Sequence, residues 1–222
     1  MRKANNRETG VARKKEQKRE SVTFGGDEWT FDRAQQHKRK LETLLKMAAV
    51  CFNDKGYSGT SLRNLASRLK VTDAALYYYV QSKQELVFLC YERALDVAGR
   101  ATIRADKEGV TGLQKLQLFI KYQVEVICGP EGPLAVLSEL PSLTVAHRNH
   151  IVERLNKEVA LLAQFFETGF EDGSIIKCNR RIASAAILGS LNWIAKWQHE
   201  KRDIPETVET YVQVLTGGLA AK

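Results

Sequence analysis

The sequence predicts an all-α fold, with an N-terminal three-helix helix-turn-helix unit followed by a larger helical domain. Three observations carry that prediction. Apolar residues recur at i, i+3, i+4 and i+7 in segment after segment, the spacing of a helix with one buried face. No segment sustains the period of two that marks a half-buried strand. Capping residues and the breakers Gly and Pro separate the segments where helices should start and stop. The chain has 222 residues and is 44% hydrophobic, enough for one or two domains with a real core.

Residues 1–30 are polar, rich in Lys and Arg and without a sustained apolar face, and are predicted to be an unstructured basic tail ending in the joint "FGGDEW". Helical periodicity starts near Gln35. Leu41, Leu44, Leu45, Ala48, Ala49 and Phe52 form one stripe, and Gly56 suits the left-handed position that closes a helix. Thr60 can cap a short second helix at 61–69 that carries Leu62, Leu65, Ala66 and Leu69. Thr72 can cap a third at 72–79. Ser82 and Glu85 have the spacing of a capping box for a fourth helix running through Leu86, Cys90, Ala94 and Val97.

Further helices are predicted at 112–128, 133–139, 144–170 and 179–200, and from Pro205 to about 219. "GPEGP", Pro141 and "EDGS" act as punctuation between them. The resulting domains are the tail at 1–30, a helix-turn-helix domain at 31–85 and a helical domain at 86–222.

Charge divides the same way. The net charge is +8. Residues 1–20 hold 8 Lys/Arg against 3 Asp/Glu, residues 31–85 hold 10 against 5, and residues 86–222 hold 16 of each. A basic module on a neutral domain points to a polyanion partner for the first part, although a solvated basic face has the same composition. No apolar run reaches the ~20 residues of a membrane helix. The charged N-terminus lacks the apolar centre of a signal peptide. Cys51, Cys90, Cys128 and Cys178 are far apart and form no metal-binding pair, which suits a reducing cytoplasm.

Three short helices at 37–53, 61–69 and 72–79, the last two joined by a tight turn, are the layout in which the final helix enters the DNA major groove. That helix contains Tyr77, Tyr78 and Tyr79 in a row. Successive helical residues point about 100° apart, so the three rings cannot share one face. Leu76, Tyr79 and Val80 are predicted to face inward, and Tyr77 and Tyr78 outward.

The stretch "AAVCFNDKGYSGTSLRNLASRLKVTDAALYYYVQSKQELV" resembles the DNA-binding domain of the TetR (tetracycline-repressor-like) transcription regulators. Gly56, Tyr57, Thr60, Ser61, Leu62, Arg63, Leu65, Ala66, Val71, Thr72, Ala74, Leu76, Tyr77, Tyr79, Ser82, Lys83 and Leu86 match that family's pattern. Val80 and Gln81 depart from its usual Phe and Pro.

The resemblance implies DNA contacts by Thr60, Ser61, Arg63, Thr72, Asp73, Ala74, Ala75, Tyr77, Tyr78 and Lys83. Thr60, Ser61 and Lys83 would meet phosphates, and Arg63 a phosphate or guanine edge. The small residues Ala74 and Ala75 would let the helix sit deep in the groove. Asp73 would cap the helix or accept from a cytosine amino group. Ordinary capping and surface roles would use many of the same residues.

The resemblance also implies a homodimer on a near-palindromic operator, with the helices at 144–170 and 179–200 packing against their copies. Gly189 and Ser190 would permit close approach. The C-terminal segment is similar to that of TetR-like repressors of lipid, sterol-ring and aromatic-acid breakdown, several of which respond to acyl-CoA thioesters. On that likeness Asn192, Trp193, Lys196 and Trp197, with Phe119 and Arg148, are the candidate effector contacts. Trp193 and Trp197 would form one wall, and Lys196 or Arg148 would lie near the phosphates.

A free apolar or aromatic effector and a ligand-independent DNA-binding protein are the alternatives. No cofactor, resident metal or enzymatic activity is expected. The competing enzyme reading rests on His147, His150 and Glu153 as ligands on one helix face. No Ser-His-Asp set, Gly-rich phosphate loop or Cys-His pairing supports it.

Overall fold

The structure, a computed structural model, describes residues 26–132, 134, 137–195 and 203–221. Most of the basic tail, together with Lys196 and Trp197, therefore lies outside the described residues. The chain divides into two compact units, Met1–His37 and Lys38–Lys222. In chain order the helices are α1 (Gly26–Lys55), α2 (Leu62–Leu69), α3 (Asp73–Tyr77), α4 (Lys83–Glu108), α5 (Gly112–Cys128), α6 (Val145–Glu171), α7 (Arg180–Ile194) and α8 (Ile204–Thr216). Among the described residues there is no strand, only a single bridge between Ile175 and Ala220. No described helix is long and apolar enough to cross a membrane.

The stripe read on α1 is buried as expected, with Leu44, Leu45, Ala48, Ala49 and Phe52 all inside. Gly56 takes the left-handed conformation, with φ of 68°. α1 begins at Gly26 rather than near Gln35, so the expected joint "FGGDEW" is partly helical. The third helix is shorter than predicted, ending at Tyr77, although the amides of Tyr78, Tyr79 and Val80 still bond to Ala74 and Leu76.

The element expected at 133–139 is instead a short 3-10 helix, Leu137–Ser142, with Pro141 inside it. Proline lacks the N–H that a longer α-helix needs, and a 3-10 turn of few bonds tolerates that loss.

Two apolar clusters share α4. Leu86, Val87, Cys90, Tyr91 and Leu95 pack with α1, α2 and the Leu76–Val80 turn, together with Ile151 of α6. Val97, Ala101 and Ala105 pack with α5, α6, α7 and Ile175. α4 thus runs unbroken past the domain joint expected at residue 85. α5 is the central helix of the second cluster and packs against α4, α6, α7 and α8. Burying each of its Leu116, Phe119, Ile120 and Val124 side chains stabilises the fold by about 1.5–3 kcal/mol.

The start of α5 meets the end of α6 closely. A Cβ on Gly112 would lie 2.1 Å from the Gly169 amide nitrogen. The Gly112 and Leu113 amides donate to Asp172 Oδ2 at 2.7 Å and Ser174 Oγ at 3.1 Å. Hydrogen bonds from Ser174 and the Gly112 amide hold the Asp172 carboxyl below its ordinary range.

Candidate nucleic-acid interface and ligand cavity

The α2–turn–α3 geometry follows from its caps. Ser61 Oγ accepts from the Asn64 amide at 3.1 Å and starts α2. Lys70 ends it in the left-handed region, with φ of 55°, while the Val71 amide bonds back to Ala66 O at 3.0 Å. Thr72 Oγ1 then accepts from the Ala75 amide at 3.2 Å and starts α3. Asp73 lies in the first turn of α3, where a carboxylate favours the positive end of the helix dipole. Ser61, Arg63, Thr72, Asp73 and Ala74 are exposed, and Ala75 is half-buried.

The three tyrosines separate as their spacing predicts. Leu76 and Val80 are buried, and Tyr79 packs against the same cluster. Tyr77 is 55% and Tyr78 73% exposed, and Tyr78 also meets Tyr79 edge to face at 5.1 Å.

Two expected phosphate contacts are corrected. Thr60 is not the cap of α2. It is buried, and its hydroxyl donates inward to Gly56 O at 2.9 Å and Cys51 O at 3.0 Å. A hydroxyl fixed there closes the end of α1 and cannot face a phosphate. Lys83 turns inward as well. Its ammonium donates to Tyr57 O at 2.8 Å and Thr60 O at 3.0 Å, and lies 3.9 Å from the centre of the Tyr57 ring. Two of its three donors thus fasten α4 to the turn before α2.

The capping box is half formed. Ser82 Oγ accepts from the Glu85 amide, but Glu85 reaches one residue further back, to the Gln81 amide at 2.5 Å.

A set of contacts not foreseen from the sequence joins α1 to the loop after α5. Lys46 Nζ donates to Pro130 O at 2.6 Å, and Asn53 Nδ2 to Leu134 O at 2.8 Å. Arg93 of α4, only 7% exposed, donates through Nε to Glu42 Oε1 at 2.6 Å and through Nη2 to Glu131 O. This strap ties the helix that supports α2 and α3 to the segment carrying Leu134. The readable signal was a guanidinium at i+3 from Cys90 and i−4 from Val97, on the inner side of α4.

Leu134 also lines a cavity of about 300 Å³ between α4, α5, α6 and α7. Tyr91, Leu95, Phe119, Ile127, Leu155 and Leu191 are among its lining residues, with Thr102, Gln123, Glu158 and Asn192 as further polar ones. Gln123 Nε2 donates to Ala98 O at 2.9 Å and Thr102 Oγ1 at 3.2 Å.

Of the expected effector residues, Phe119 and Asn192 line this cavity. Arg148 does not, and Trp193 is 56% exposed and points elsewhere. The tryptophan wall is therefore corrected at Trp193, while Lys196 and Trp197 lie outside the described residues. Asn192 and Trp193 are adjacent on α7, so the two side chains diverge by about 100°. Val159, further along α6, also lines the cavity and is 42% exposed. Glu158 occupies the inward track between Leu155 and Leu162, a polar residue in an apolar stripe.

The outer face of α7 carries Ile182, Ala185, Ala186, Gly189 and Trp193, all exposed. A Cβ built on Gly189 meets nothing within 4 Å. Val152 and Val159 are exposed along α6. The histidines considered for a metal have separate partners. His147 stacks on Phe88 at 4.0 Å, His150 Nε2 lies 3.2 Å from Glu92, and Glu153 pairs with Lys157 at 2.9 Å. Among the described residues no His, Cys, Asp and Glu cluster is placed to hold a metal.

Comparisons with known proteins agree with this geometry. Residues 44–90 match the family model described as bacterial regulatory proteins, tetR family. Residues 109–219 match the tetracyclin repressor-like C-terminal domain. The chain is 24% identical over 185 residues to the HTH-type transcriptional repressor KstR2 of Rhodococcus jostii, covering 80% of this chain and 90% of KstR2. It is 22% identical over 146 residues to the transposon Tn10 TetC protein of Escherichia coli, covering 63% of this chain and 74% of TetC. Among solved structures, AibR in complex with isovaleryl coenzyme A and operator DNA has the same fold, with a TM-score of 0.66 and 23% identity over 78% of this chain and 96% of that one. Neither family model describes a catalytic domain. With matches to both its DNA-binding and its C-terminal models, the chain belongs to the TetR family of transcription regulators.

Proposed function

We propose that the protein is a cytoplasmic, homodimeric repressor that binds a near-palindromic operator and leaves it when a small, mostly apolar effector fills the cavity. The observation that carries this reading is a helix-turn-helix and an apolar cavity within one compact unit, joined by the Arg93 strap. The proposed DNA contacts are Ser61, Arg63, Thr72, Asp73, Ala74, Ala75, Tyr77 and Tyr78. Lys83 acts as a fastener of α4. The proposed partner face is the outer side of α6 and α7, where Gly189 leaves room for a second backbone.

The cavity favours a free apolar compound as effector, because no Lys, Arg or His is among its described lining residues. A second reading is an acyl-CoA thioester, favoured by the isovaleryl coenzyme A complex of AibR. Its acyl part would fill the cavity, and its phosphates would need cations beyond the lining.

A gel-shift titration on the DNA upstream of the gene tests the proposal, with acyl-CoAs and free apolar compounds added separately. Absence of specific binding at moderate salt overturns the DNA reading. Specific binding that no effector weakens overturns only the ligand reading. Within the same assay Tyr77→Phe is expected to weaken binding about five- to tenfold across operator variants, since it removes one phosphate hydrogen bond. Tyr78→Ala is expected to change the ranking of those variants. Wild-type behaviour of both mutants would refute this division of roles.

A further inference from the structure

The cavity has an uneven chemistry. Glu158 is the only carboxylate among its described lining residues, and no Lys, Arg or His is among them. The carboxylate lies close against α4 because residue 99 is glycine. A Cβ there would lie 2.8 Å from Glu158 Oε1.

The described neighbours of the carboxylate, Arg154 and Thr102, have other partners as well. Arg154, one turn earlier on α6, is held by Asp96 at 2.6 Å and Glu92 at 3.0 Å. The Thr102 hydroxyl is shared with the Ala98 carbonyl at 3.0 Å, and Gln123 donates to Ala98 and Thr102. Burial raises the Glu158 carboxyl above its ordinary range, outweighing the Thr102 hydrogen bond and the attraction of Arg154. A half-buried carboxylate in an apolar wall has lost hydration that nothing on the wall fully replaces.

We infer that Glu158 is the specificity-determining group of this cavity, and that its ligand is an apolar molecule bearing a protonated amine. This inference rests on the cavity being the effector site. An apolar body would cover Leu155, Phe119 and Leu191, and the ammonium would supply the charge-assisted hydrogen bonds that the wall lacks. A ligand carboxylate would meet like charge with no cation among the described lining residues to offset it. Glu158 then selects against anionic effectors as well as for cationic ones.

Calorimetric titration of the full chain at neutral pH with octylamine, octanol and octanoate tests this. These probes differ only in the polar end. The expected order is amine tightest by at least about tenfold over the alcohol, with octanoate weakest. Glu158→Gln removes a charge that burial disfavours, so the variant should fold. It is expected to bring the amine down to the level of the alcohol while leaving alcohol binding unchanged. An amine no tighter than the alcohol, or an amine preference that survives in Glu158→Gln, overturns the inference and leaves the cavity reading standing. If none of the three binds the wild type, the cavity is not a ligand site and both readings fall.

Discussion

Gly189→Arg is expected to leave the chain folded, to make it monomeric and to weaken operator binding by about a hundredfold or more. Within one protomer the substitution is harmless, because a side chain starting at Gly189 meets nothing within 4 Å. Replacing a helix-interior glycine even favours the helix, by roughly 0.5–1 kcal/mol. On the proposed partner face the same change is severe. It places a long cation in the middle of the exposed row Ile182, Ala185, Ala186 and Trp193, where a second copy would desolvate it without a counter-charge.

A dimer that reads two half-sites gains its second half-site through effective concentration, worth about 10²–10⁴ in affinity. Light scattering, a circular-dichroism melt and a gel shift on one sample separate the cases. A dimer that persists with unchanged operator affinity would show that this face is not the interface.

Arg93→Ala is expected to lower stability by about 2–4 kcal/mol. The guanidinium is nearly enclosed, and removing it opens a void between α1 and the loop after α5. It also frees Glu42 and the Glu131 carbonyl. The Glu42 carboxylate can reach water, since its side chain is 42% exposed. The cost therefore stays below that of stranding a buried charge.

For a chain of this size the loss corresponds to a melting temperature lower by about 5–15 °C. Arg104→Ala is the control. Its pair with Glu108 is exposed on both sides, and the variant is expected to melt close to the wild type. If both variants melted like the wild type, the strap would not be a stabilising element.

What could be read from the sequence was whatever local spacing determines. Leu76, Tyr79 and Val80 turned inward, and Tyr77 and Tyr78 outward, because a helix fixes direction within one turn. Gly56 was recognisable from its breaker context, and Ser82 from its capping spacing. Thr60 was misread because it and Ser61 both have cap chemistry. Only the return of the chain toward Cys51 decides which hydroxyl is buried.

Lys83 was misread for a related reason. Its flexible stem can reach a phosphate or a nearby carbonyl, and the choice depends on where Tyr57 lies across the fold. Arg93, Asn53 and Lys46 bind partners 38 to 84 residues away, which no local pattern specifies. Trp193 was placed on the cavity wall by likeness to relatives. The structure gives that role to Asn192, one step round α7, and puts Trp193 outside. Glu158 was legible in principle, as the charged residue between Leu155 and Leu162 on the inner side of α6.

The strap from α1 to Leu134 has one further consequence for the proposed cycle. Leu134 contributes its side chain to the cavity and its carbonyl to Asn53, so one residue belongs to both the ligand wall and the support of the DNA-reading helices. Coupling of this kind is reciprocal by thermodynamic necessity. Whatever factor the effector takes from operator affinity, the operator takes from effector affinity. A repressor seated on its operator is then a poorer receptor than the same molecule free in solution. At low effector levels the unbound pool fills first and acts as a buffer, so that induction begins only after that pool is occupied.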